Sequence, residues 1–523
     1  MNQVQVFHIG TDCTLAVSCV LHFDGGVDIF TEECLRAASK SVIHKHSIAG
    51  CAVSDTVKGT QIQPVMVSEW QGKTMDIFPG GSLSQWCDHV AWSEAAKGVD
   101  VREAMARFVV SPPVPPHTPT LGASTSASVG LVLLVHHVAT DARGLMQLLR
   151  DLLLAAVDRG VQGGVSHDAP VPPSLVDWMP RMKAALDLQG HAGPTGQPIP
   201  PAFPKLLPPC IPPPIQSFSA AGAAATGSAG VSSTQKALPH GEDPPSSTRC
   251  FGAGPPWAAA AENSEVERAA VPAAHTAPWG GGGSLEPEPT AKGCYQPPKL
   301  VHVQFTTRLV LSEEHTALVL GAAKQAGVGV WAWVQAASLL VEASFAAECK
   351  GGGGELTWPV RARTFVDARG LVAPPLPQDF VGPITGVASL ETMTVTPSTS
   401  VAELALQLQH GLQDAVQSLD VLRTVQTLLF GGAASLAVNN YGHLQQLELP
   451  ADCGVRMTDV WVIRQERTSP AAHEQFNIVV FSVNRQLHLS ISFMPAVWHE
   501  QCVSLFLERT IQAALHAAMA TSG

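Results

Sequence analysis

The chain has 523 residues, of which 46% are hydrophobic and 14% charged, with a net charge of -12 at neutral pH. That length exceeds one ordinary core, so two domains are expected. The acidic charge is spread along the chain, and no basic stripe interleaves with aromatics, which argues against a nucleic-acid partner. Eleven cysteines include no CxxC pair and no Cys/His cluster with metal-ligand spacing. A disulfide framework and a zinc site are therefore not expected, and a reducing compartment is. The start, MNQVQVFHIGTDC, lacks a basic stretch followed by an apolar core, and no apolar run approaches bilayer length. A cytoplasmic protein without a membrane span is the expectation.

In chain order, Thr14 to Phe23 has the β-branched content of a strand, and Ile29 to His46 carries helical spacing through Phe30, Leu35, Ala38 and Val42. Val129 to Val135 reads as a buried strand, and Leu145 to Val157 as a helix with Leu and Met at three- and four-residue spacing. Composition then breaks: residues 191–297 are dominated by Pro, Gly, Ala and Ser, as in AAGAAATGSAG and APWGGGGSLEPEP. Such a segment buries little apolar surface, so a disordered linker is expected between a first part, 1–190, and a second, 298–523. The second part opens with a strand at Leu300 to Leu309. Ser312 offers an N-cap, with Glu313 and Glu314 in the first turn of a helix reaching Gln325. A helix at Val330 to Ala347 follows, then strands at Glu355 to Arg363, Asp459 to Arg464, Phe476 to Val483 and Leu487 to Phe493, and a final helix from His499 to Ala518. Both parts mix strands and helices, which makes the fold class α/β.

The chemistry concentrates where the strand ending at Val135 runs into His136-His137-Val-Ala-Thr-Asp141-Ala-Arg-Gly144 and then a helix. A histidine at a strand's C-terminal end can project into a crevice, and neutral imidazole can take a proton from a hydroxyl or amine attacking a carbonyl carbon. An aspartate four residues on can fix the loop by pairing with a cation, and Gly144 can free the backbone at the helix entry. HxxxD alone is a weak pattern: His8-Ile-Gly-Thr-Asp12 matches it too, without a buried strand before it or a helix after it. The plain alternative is that His136 and His137 merely end a strand. Three other features carry no site. The run Gly351 to Gly354 lacks the Lys-Ser/Thr of a phosphate loop. His44 and His46 are two apart on a helix and share no face. Trp331 and Trp333 are expected in the core.

Four segments in order resemble the plant-type BAHD acyltransferases. They are Ser39 to Gly50, similar to "SLSKVLVxYYPLAGRL"; the HHxxxDxxG stretch, with its helix closing in Val157-Asp-Arg-Gly160; Val360-Arg-Ala-Arg363 with Pro374-Pro-Leu-Pro-Gln-Asp-Phe-Val-Gly382, similar to "VxxRxRxxPPLPxxYFGN"; and Val438-Asn-Asn-Tyr-Gly442 with Asp452-Cys-Gly454, where the family has "SSW" and "DFGWG". The resemblance implies two chloramphenicol-acetyltransferase-like lobes, each a mixed sheet with helices, joined by a long crossover. It also implies an acyltransferase with no bound cofactor, working as a monomer on acyl-CoA as co-substrate and a small-molecule alcohol or amine acceptor. By the same resemblance His137 is the general base, Asp141 is structural, and Asp141 pairs with an arginine for which Arg361 and Arg363 are the candidates. Gly144 is structural, and His136, Asp452 and Gly454 are possible secondary site residues. This sequence departs from the family at Val455 and Arg456, where "DFGWG" has Trp and Gly, and at Pro383, where it has Asn. Two other classes stay open: a condensation-like domain using carrier-bound donors, and a non-catalytic binding protein of the same fold.

Overall fold

The computed structural model describes residues 13–24, 29–56, 59–63, 67–115, 126–162, 305–349, 357–360, 362–390, 393–396, 398–422, 436–444, 447, 449–465, 476–493, 498 and 500–522. The linker, the His8–Asp12 match and the Gly351–Gly354 run lie outside these residues.

Two sheets organise the chain. The first has the order β13-β1-β6-β5-β4, with β1 Thr14–Asp24, β4 Gln71–Thr74, β5 Ala106–Val110, β6 Ser126–His136 and β13 Val455–Gln465. Helices α1 (Glu32–Lys45) and α3 (Ala142–Gln162) cover one face, over Leu15, Val17, Leu131 and Leu133. Helix α2 (Leu83–Lys97) covers the other, over Ala16, Val20, Val132 and Leu134. The alternation follows from the two-residue period of a strand, and β6 is buried on both faces, which explains its unbroken apolar run.

The second sheet has the order β10-β9-β12-β14-β15-β7. Its strands are β7 Phe305–Val310, β9 Ala362–Asp367, β10 Thr385–Ser389, β12 Leu436–His443, β14 Phe476–Val483 and β15 Gln486–Phe493. Helices α4 (Glu313–Gln325), α5 (Val330–Cys349), α6 (Val401–Gln417) and α7 (Glu500–Ser522) pack on one face. From the other face Val479, Phe481 and Val483 enter the same apolar cluster as Leu133 and Leu149, so the lobes share a core. Two short pairs complete the described strands: β2 (Ala52–Thr56) with β3 (Gly59–Gln63), and β8 (Trp358–Val360) with β11 (Met393–Val395).

Three expectations change. The division at the linker does not separate the sheets, because β13 from the second half pairs along β1 in the first lobe. The strand expected over Glu355 to Arg363 is two strands, β8 and β9, in different sheets. Helix α5 has a stretch, Val330–Ala347, long and apolar enough to cross a bilayer. It instead fills the core of the second lobe, where Trp331 and Trp333 are buried and the Trp333 indole donates to the Ala514 carbonyl. Two helices outside the sequence expectation, α2 and α6, begin at capping boxes, Ser82 with Gln85 and Ser400 with Glu403.

Candidate active site

Strand β6 ends at His136, residues 137–139 turn, and Asp141 caps α3. The apolar run from Val129 to Val135 anchors the strand, so the turn after it emerges at the junction of the lobes. The His137 backbone N–H donates to the Cys13 carbonyl at 2.8 Å, fastening the turn to β1. The two histidines divide. His136 is buried, and its Nδ1 accepts from the Val138 N–H at 3.2 Å. Burial, with His137 beside it, pushes its value down to about 3, so His136 stays neutral. His137 is half-buried.

Asp141 carries the loop's connection to the second lobe. Its Oδ1 accepts from the Gly144 N–H at 2.8 Å and from Arg369 Nη2 at 2.9 Å; its Oδ2 accepts from Arg369 Nη1 at 2.9 Å and from the Ile384 N–H at 3.2 Å. Every carboxylate direction is used, in a pair where Asp141 is 5% and Arg369 0% exposed. Arg369 also donates to the Phe380 carbonyl and to Asp367. Arg143 reaches Asp367 at 2.8 Å beside it. A buried pair of this kind is tolerated because the bidentate geometry and further hydrogen bonds offset desolvation.

This arginine corrects the sequence expectation. Arg363 lies on β9, four residues before its end and so about 13 Å along the strand from Asp367. Asp141 sits over the turn that follows β9. Arg361 lies outside the described residues. The signal for Arg369 was in the motif: anchored on the Pro374-Pro-Leu-Pro run, the first arginine of "VxxRxRxxPPLP" falls five residues earlier, at Arg369, and its valine at Val366.

Gly144 is also placed for a different reason. It lies inside the first turn of α3, and a Cβ there would overlap Thr140 Oγ1. Close approach, rather than backbone freedom, requires glycine. Asp452 and Gly454 are a further correction. They precede β13 at the end of the sheet where Val455 pairs with Phe23, whereas Gln465, at the other end, pairs with Thr14 next to the loop. Ten residue steps of strand, about 30 Å, separate them from the histidines. The Val438 to Gly442 segment does approach the loop, on β12. Burial raises the Tyr441 hydroxyl above its ordinary range, Arg464 draws it down, and Cys13 and Asp141 push it up, so Tyr441 lies within the field of the His137 turn.

Residues 301–492 match the family profile described as the phthiocerol/phthiodiolone dimycocerosyl transferase C-terminus. No curated protein sequence matches the chain. Among solved structures, polyketide synthase associated protein 5 of Mycobacterium tuberculosis aligns over 98% of this chain and 96% of its own, at 14% identity and a TM-score of 0.55. The trichothecene 15-O-acetyltransferase of Fusarium sporotrichioides aligns over 97% and 92%, at 12% identity and a TM-score of 0.57. The first condensation domain of the CDA synthetase aligns over 100% and 96%, at 14% identity and a TM-score of 0.53. The chain has the chloramphenicol-acetyltransferase-like fold. Within that fold the profile match points to an acyltransferase family and does not single out the BAHD branch expected from the motifs. The chloramphenicol-acetyltransferase-like lobes meet where Asp141 and Arg369 join the His137 turn to the second sheet.

Proposed function

We propose that the protein transfers an acyl group from an acyl-CoA thioester to a hydroxyl or amine acceptor, with His137 as the general base. The observation that carries this reading is the half-buried His137 on a turn held from both sides, by Cys13 just before β1 and by the Asp141–Arg369 pair. Such fixation is what a base needs to meet a proton in a defined direction. In the reaction, the imidazole removes the acceptor's proton as its oxygen or nitrogen bonds to the thioester carbonyl carbon. The tetrahedral intermediate collapses with cleavage of the C–S bond, and the imidazolium returns the proton to the departing thiolate. No covalent acyl-enzyme forms.

The likeness to a condensation domain supports a second donor, an acyl group on a carrier protein's phosphopantetheine arm, which presents the same thioester to the same base. Free-thiol release is the test, with acyl-CoAs and carrier-borne thioesters in parallel, each with alcohol and amine acceptors. Acceptor-dependent release that is lost in His137→Ala, with an unchanged melting curve, is the expected result. A His137→Ala rate equal to wild type would remove the base, and release only from the carrier-borne donor would replace acyl-CoA.

A further inference from the structure

A base that sends an acceptor onto a thioester leaves negative charge on the carbonyl oxygen of the tetrahedral intermediate, and that oxygen needs a donor. Several polar groups around the His137 turn are already committed. Asp141 spends its carboxylate on four hydrogen bonds, and Arg369 is divided among Asp141, Asp367 and the carbonyls of Phe380 and Gly382. Thr140 Oγ1 donates to the Asp141 carbonyl, and Arg143 is held by Asp367.

The phenol of Tyr441 differs from these. Strand β12 pairs with β14 at Asn440, opposite Val480, and again at Gly442, opposite Phe481, so Tyr441 is the extra residue of a β-bulge. The bulge is built locally. Asn440 Oδ1 accepts from Gly442 N–H at 2.8 Å, and Gly442 takes a φ of 71°, which glycine adopts without steric cost. Bulges re-aim side chains and recur beside active sites. Here the half-buried Tyr441 ring packs against the apolar cluster shared by the lobes, which includes Val138 and Ala139 of the histidine turn. Val438 pairs with Thr364 on parallel β9, so the bulge stands near the level of Asp367, where Arg369 and Arg143 meet.

Among the described residues the Tyr441 hydroxyl has no hydrogen-bond partner. A hydroxyl left unbonded at a half-buried site is a cost that phenylalanine would avoid. Burial keeps the phenol neutral near pH 7, and a neutral phenol is a donor.

We propose that the Tyr441 hydroxyl donates to the carbonyl oxygen of the acyl donor and holds the oxyanion while His137 carries the acceptor's proton. Tyr441 keeps its own proton throughout. The hydrogen bond strengthens as the carbonyl carbon becomes tetrahedral and weakens when the C–S bond breaks and the carbonyl re-forms. The proposal rests on the acyltransferase reading, which supplies the oxygen to be bound.

The test compares Tyr441→Phe with the wild type, using the donor and acceptor that give thiol release. Loss of one oxyanion donor should lower kcat by about 100- to 1,000-fold, with KM within about twofold and an unchanged melting curve. Infrared spectroscopy supplies a readout that a merely structural tyrosine would not move. A 13C=O-labelled donor bound without acceptor should show its carbonyl stretch at lower frequency on the wild type than on Tyr441→Phe. The chain made with 3-fluorotyrosine at its two tyrosines, a stronger donor of nearly the same size, should lower that frequency further, and it decides alone if Tyr441→Phe does not fold. A Tyr441→Phe kcat within about threefold of wild type, or a carbonyl band that none of these changes moves, overturns the proposal and leaves the acyltransferase reading standing. A wild type that transfers no acyl group from any donor removes both.

Discussion

Two arginines of the second lobe reach carboxylates of the first, and the two pairs are built in opposite ways. Arg369 and Asp141 are both buried, joined by two hydrogen bonds, with two backbone N–H groups completing the carboxylate. Arg308 on β7 reaches Asp88 on α2 through a single bond of 2.8 Å and lies over the Trp461 ring, while Asp88 Oδ1 has no partner. Burial pushes Asp88 up to about 6, Arg308 draws it down and Asp459 pushes it up again. The same two residue types make a rigid joint in one place and a titrating contact in the other. Complete hydrogen bonding of the carboxylate distinguishes them, because a buried charge with an unused lone pair retains part of its desolvation penalty.

The largest test of this contrast is to break the complete pair. Arg369→Met leaves Asp141 buried without its cation and should lower stability by about 3–5 kcal/mol in urea denaturation, with acyl transfer falling to background. A loss below about 1 kcal/mol would show that the pair does not join the lobes. A middle effect is expected at the helix entry next to Asp141. Gly144→Ala drives a methyl into Thr140 Oγ1 and should cost about 1–3 kcal/mol. Adding Thr140→Ala should recover most of that cost, so a purely additive double mutant would place the strain elsewhere.

The smallest effect sharpens the other side. Asp88 has a folded value above its ordinary 3.8, so its protonated form favours the fold. That contribution is complete below about pH 4 and is lost as pH rises through about 6. Asp88→Asn stays neutral throughout and should not show this decline, so the wild-type Tm should fall relative to the variant between pH 4 and 6. A wild-type Tm that rises relative to Asp88→Asn over that window would mean that pairing with Arg308 outweighs burial.

The parts of the site legible in the sequence are those made by adjacent residues. The apolar run of β6, the two histidines, Asp141 and the amphipathic α3 are contiguous, so periodicity reveals them. Helix α2 is harder to read, because its buried positions include Glu94, paired with Lys97 on the helix itself and with Lys73 and Arg107 from distant segments. Arg369 is readable from its distance to the proline run, but Arg361-Ala-Arg363 offers the same residue type at the spacing of the motif's arginine pair, so spacing within the pair points away from it. The position of Asp452 and Gly454 could not be read, since a motif in sequence does not say which end of a strand faces the chemistry.

By itself, then, the sequence determined the α/β class, the strand–turn–helix bearing His137, and the resemblance that points to thioester chemistry, because all of these are local patterns of polarity, branching and spacing. Only the tertiary structure decided that β13 crosses into the first sheet, that Arg369 closes on Asp141 from 228 positions away, and that Tyr441 comes within the field of the His137 turn. Those are pairings between distant segments. Which strand edge or carboxylate a distant residue finds is set by how whole faces pack, and no local spacing encodes it.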